Sequence, residues 1–80
     1  MPRFLHLLKP GDHAIARSVI EHQSRQPDTA VTVVLLHGVR APALPDGITV
    51  RQLAEEGTPG DLTYSDLLDL IFTADSVISW

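Results

Sequence analysis

The chain has 80 residues, a formal net charge of −4 and no cysteine. That length supports one domain with a thin core, because only roughly 60% of the surface of so short a chain can leave water on folding. The lack of a thiol excludes disulfide stapling, persulfide chemistry, zinc–thiolate sites and iron–sulfur sites on this chain. With 44% hydrophobic and 20% charged residues the composition is that of a folded globular domain, not of a disordered one.

The charge is uneven. Residues 1–40 carry five basic groups (Arg3, Lys9, Arg17, Arg25, Arg40) against three acids, for +2, whereas residues 41–80 carry Arg51 against seven acids, for −6. No basic stripe exists to neutralise phosphates, so direct nucleic-acid binding is not expected. The longest apolar run, Val33-Val34-Leu35-Leu36, is far below the ~20 residues that cross a bilayer. Phe4-Leu5-His6-Leu7-Leu8 runs into Lys9-Pro10-Gly11-Asp12 without a signal-peptide cleavage pattern. These features predict a cytoplasmic protein with no membrane association.

In chain order, residues 3–8 alternate Phe4, His6 and Leu8 against Leu5 and Leu7, which reads as a strand covered on most of both faces. From Asp12, read as an N-cap, Ile15, Ala16, Val19 and Ile20 recur at helical spacing until Pro27 forces an end. Ala30-Val-Thr-Val-Val-Leu-Leu36 is the β-branched run of a strand buried on both faces, the mark of a parallel sheet. Gly38, Pro42, Pro45 and Gly47 make the next segment a loop. Ile48, Val50 and Leu53 suggest a third strand, and Gly57-Thr58-Pro59-Gly60 a turn. Thr63 and Asp66 have capping-box spacing, and Tyr64, Leu67, Leu68 and Ile71 are predicted as the core face of the helix that follows. Val77-Ile78-Ser79-Trp80 reads as a fourth strand.

The predicted fold is a single α/β domain over residues 1–80, a small doubly wound parallel sheet of three to four strands in order 2-1-3-4 with a helix on each face. In such a sheet the site lies beyond the carboxyl ends of the strands, which makes His37, Gly38, Arg40, Lys9 and His13 the candidate crevice. The single-glycine loop 9–13 lacks dinucleotide and P-loop spacing, and the four histidines lack metal-ligand spacing. His6 reads as a core histidine hydrogen-bonded to a neighbour. No nucleophile elbow or catalytic triad is spaced along the chain, so no catalytic, cofactor-binding or metal residues are assigned and an enzyme is not expected. A chain this short needs a partner. Its candidate interface is Val33 and Leu35, on a strand expected at the sheet edge, with Trp80, for which intramolecular packing is the competing reading.

The order of motifs resembles the DsrE/DsrF/DsrH superfamily, above all its DsrH/TusB branch. Phe-Leu-His-Leu-Leu-Lys at 4–9, Val-Val-Leu-Leu-His-Gly-Val at 33–39 and Ile-Thr-Val-Arg-Gln-Leu-Ala-Glu-Glu-Gly at 48–57 look like its successive strands, and Leu-Thr-Tyr-Ser-Asp-Leu-Leu-Asp-Leu at 62–70 with Asp-Ser-Val-Ile-Ser-Trp at 75–80 like its closing helix and tail. The resemblance implies a doubly wound fold and a place in a hetero-oligomeric sulfur relay, in tRNA 2-thiouridine synthesis or sulfur oxidation. The chain departs from the pattern in lacking a helix between the second and third strands and in having no cysteine, so the implied role is non-catalytic, beside cysteine-bearing DsrE/TusD-like paralogues. The alternative is a free-standing small oligomeric module that binds a partner or ligand and has no connection to sulfur transfer.

Overall fold

The computed structural model describes residues 2–11, 13–36, 39, 43–54 and 62–80. Among them are β1 (Arg3–Leu8), α1 (Ala14–Ser24), β2 (Ala30–Leu35), β3 (Thr49–Gln52), α2 (Tyr64–Thr73) and β4 (Ser76–Ser79). The four strands form one all-parallel sheet in order β3-β2-β1-β4.

The α/β class, the parallel sheet and the helix on each face are as the sequence predicts. The strand order is not: β3 lies beside β2 rather than β1. Composition explains the difference. β2 is the most apolar strand, with Val33 and Val34 fully buried on opposite faces, and is best served by neighbours on both sides. The two edges fall to the strands with polar residues, Thr-Val-Arg-Gln and Ser-Val-Ile-Ser. The chain steps outward from β1 to β2 to β3 and reverses only at α2, which carries it back past two strands to β4. Right-handed crossovers in opposite directions require helices on opposite faces, and the two halves of the core show this.

On one face Ala16 and Ile20 of α1 pack with Leu8, Val31, Val33 and Leu35, joined by Phe4 and Trp80. On the other, Leu67 of α2, with Leu70, Ile71 and Ala74 beside it, packs on Leu5, Val34, Leu53 and Leu62. α2 begins with the expected capping box: the Asp66 amide donates to Thr63 Oγ1 (3.2 Å) and the Thr63 amide to Asp66 Oδ2 (3.2 Å). The bonds that the Thr63 amide and, second, the Thr63 hydroxyl donate to the carboxylate lower the Asp66 pKa below its usual value. The N-cap position of α1 is held by His13, not by the expected Asp12, which lies outside the described residues, as does the turn expected at 57–60.

Candidate functional site

The corrected strand order moves the crevice. Connections leave β1 toward β2 on one side while β4 flanks it on the other, so the topological switch point, where ligands bind in open α/β sheets, lies at the carboxyl ends of β1 and β4. Lys9 and His13 belong to the loop that leaves β1 there, and Trp80 follows β4. His13 folds back across its own loop: its Nε2–H donates to the Lys9 carbonyl at 2.7 Å. That bond closes the loop as a ring and leaves the exposed Lys9 side chain at its rim. His37, Gly38 and Arg40 lie outside the described residues.

Trp80 is half-buried and packs within its own chain. Its backbone amide donates to the Leu7 carbonyl (2.9 Å), and its indole Nε1–H donates to His6 Nδ1 (3.0 Å), the rings nearly parallel at 13° with centroids 6.2 Å apart. His6, fully buried on β1, reaches Gln23 Oε1 of α1 with Nε2 at 2.6 Å. An indole N–H only donates, so Nδ1 must accept and the proton must sit on Nε2, whose partner oxygen only accepts. His6 is therefore held neutral in one tautomer. Burial acts in the same direction, lowering its pKa below 6.5 against the opposing bond from Gln23. The triad joins β1, α1 and the residue after β4 and marks a structural tie. The sequence located His6 in the core; its partners 17 and 74 residues away carried no local signal.

Val33 and Leu35 are buried in the chain's own core beneath α1, on an interior strand. They are not available to a partner, which corrects the expected interface. The apolar surface that is available lies on α2. Leu67 is buried, but Tyr64, Leu68 and Phe72 are 62%, 54% and 82% exposed. The core face is Leu67, Leu70, Ile71 and Ala74, rotated from the expected Tyr64, Leu67, Leu68 and Ile71. At 100° per residue, Tyr64, Leu68 and Phe72 form a continuous i, i+4, i+8 ridge on one flank. The opposite flank is polar: Asp66 and Asp69, with Leu70, border a cleft of ≈ 320 Å³ over Thr32, Thr49 and Arg51. Because that cleft lies toward β2 and β3, the ridge looks the other way, toward the β4 edge. Val77, paired with Leu5 and hence on the same sheet face, is 40% exposed there. The signal for this surface was legible: Tyr64, Leu67, Leu68, Leu70, Ile71, Phe72 and Ala74 are more apolar residues than one helix face can bury.

No helix among the described residues is long and apolar enough to cross a membrane. Comparisons with protein-family models, with curated proteins and with solved structures find no match to the chain.

Proposed function

We propose that this chain is a non-catalytic subunit that works by association, in the position that the DsrH/TusB resemblance implies: an accessory protein of a sulfur relay, seated beside cysteine-bearing DsrE/TusD-like paralogues that carry the sulfur in tRNA 2-thiouridine synthesis or sulfur oxidation. The observation that carries the association is the uncovered ridge Tyr64–Leu68–Phe72 with Val77 beside it. An exposed apolar ridge of this kind is a surface on which a partner can pack. Having no cysteine, the chain carries no persulfide of its own, which fits a non-catalytic place in such a relay. The sulfur setting itself rests on the motif resemblance.

Affinity capture of the tagged chain from its native host tests this reading. The expected outcome is co-purification of a cysteine-bearing DsrE/TusD-like protein that accepts persulfide label while this chain does not. Recovery of the chain without any such protein, together with unchanged tRNA thiolation and sulfur oxidation on its deletion, overturns it. The second reading, a free-standing oligomeric module binding a partner or ligand, then takes its place; it draws on the same ridge and requires no paralogue.

A further inference from the structure

We infer that His6 and Trp80 form a proton-operated latch: a proton taken up at His6 Nδ1 releases the Trp80 indole and loosens the β4 edge leading to it, while the His6–Gln23 bond and α1 stay in place.

The bonding of the imidazole sets this outcome. Its Nδ1 accepts the Trp80 indole N–H at 3.0 Å, and its Nε2–H donates to Gln23 Oε1 at 2.6 Å. Both nitrogens of an imidazolium are donors. A second proton therefore sets two N–H groups against each other on the Trp80 side and leaves a donor facing an acceptor on the Gln23 side. The Gln23 bond becomes charge-assisted and gains strength. One proton breaks one tie and tightens the other.

Ring contact does not hold the indole in place. The rings are nearly parallel, 13° apart, with centroids separated by 6.2 Å and the indole N–H aimed at a ring nitrogen, so they meet edge to edge. A cation is attracted over an aromatic face, whereas the edge is the positive end of the ring quadrupole. The imidazolium meets that edge.

No neighbouring charge offsets the new one. On its own strand the same-face neighbours of His6 are Phe4 and Leu8; its register partners are Val33 on β2 and Ile78 on β4; α1 brings Gln23, with Ala16 and Ile20 in the core beside it. The titratable and charged groups of these elements are Arg3 on β1 and Arg17, Glu21 and His22 on α1, while β2 and β4 have none. Arg3, Arg17 and His22 are exposed and Glu21 is half-buried. What acts on His6 is burial first, opposed by the Gln23 bond. The charged ring is left to find water, and the shortest opening is at Trp80. That residue is half-buried and follows a four-residue edge strand, mostly exposed, that pairs with β1 alone. Because Trp80 lies where the sheet has its switch point, its release bares apolar core beside the crevice and makes access there depend on the proton.

The chain has a single tryptophan, so its fluorescence reports the latch directly. Emission, the far-UV circular-dichroism spectrum and the indole N–H resonance of the full chain are followed from about pH 7.5 to 4.5. The expected result is a red-shifted emission and an indole proton exchanging with water at a pH where the far-UV spectrum is still that of the folded chain. Gln23→Glu sets a carboxylate against Nε2–H and favours the imidazolium, so it should raise the midpoint of release by about one pH unit or more, again with the far-UV spectrum retained. His6→Gln removes the titrating group and should leave the emission flat. An emission that stays constant until the far-UV signal is lost overturns the latch, because the proton then unfolds the domain as a whole. A midpoint unmoved by Gln23→Glu overturns it as well, because the titrating group is then not His6. The parent and Gln23→Glu curves decide the matter even where His6→Gln does not fold.

Discussion

The two helices cover opposite faces of the same sheet, yet α2 leaves far more of its apolar surface open than α1. α1 sinks Ala16 and Ile20, half-buries Val19 and leaves Ile15 as its exposed apolar side chain. Gln23, on the same helix, ends in the His6 bond. α2 has a wider apolar arc, and the sheet covers only part of it. The part it covers is chosen by Leu67, Leu70 and Ile71 meeting Leu5 and Val34, and the rest becomes surface. A helix with one narrow stripe reports its own burial; a helix with two adjacent stripes buries one on the sheet and leaves the other as surface.

The sharpest break of this comparison is in the core. Ile20→Ala on α1 and Leu67→Ala on α2 should each cost about 2–5 kcal/mol, since both side chains are buried against the sheet and neither site can collapse fully. Denaturant melts of the two variants check it. For a domain of this size either loss consumes much of the total stability. If Leu67→Ala melts like the parent, α2 is not docked by the face described.

Next in size is the tie beneath α1. Trp80→Phe keeps the aromatic body but leaves His6 Nδ1 without its donor, at a cost of about 1–3 kcal/mol. The same tie predicts a pH dependence. The folded chain disfavours the charged imidazole, so below the unfolded value of 6.5 the unfolded state binds more protons. Stability from this group is complete above pH 6.5 and is lost as the pH falls from there toward the lowered folded value. Melting curves between pH 7.5 and 5 should show the decline, and His6→Gln should flatten it. Stability that rises on acidification over that interval would contradict the neutral tautomer.

What was legible in the sequence follows from the range of each interaction. β1, α1, β2 and the Thr63–Asp66 capping box rest on neighbours within a few residues, and periodicity or spacing exposed them. Strand order depends on which strands tolerate an edge, a comparison among distant segments, and the preference of β2 for the interior outweighed the assumed reversal after it. That single difference also withdrew Val33 and Leu35 from the surface. The strand-end rule puts Lys9 and His13 in the loop after β1, where they lie, but the switch point beside them follows from the strand order, which was not legible; the closing bond between His13 and the Lys9 carbonyl has no sequence signature.

A smaller effect probes how α2 starts. Thr63→Ala removes the hydroxyl that accepts the Asp66 amide and should cost about 1 kcal/mol, within the 0.5–2 range of lost N-caps. Thr63→Ser should restore most of it, since the hydroxyl is retained. Equal melting of both variants and parent would show that docking alone fixes the start of the helix.

The smallest expected effect separates the two stripes of α2 most cleanly. Leu68 adjoins Leu67 in sequence and has the same side chain, but one is 54% exposed and the other 8%. At concentrations where the chain is dispersed, Leu68→Ala should change stability by no more than about 0.5 kcal/mol, the usual range for surface positions, against the several expected for Leu67→Ala. Intrinsic helix propensity does not blur the contrast, because leucine and alanine are both strong helix formers and the replacement is the same at both positions. The paired melts therefore measure burial alone. Equal losses would mean that α2 is rotated toward the face periodicity suggested, with Leu68 inside, and would remove the exposed ridge on which the association reading depends.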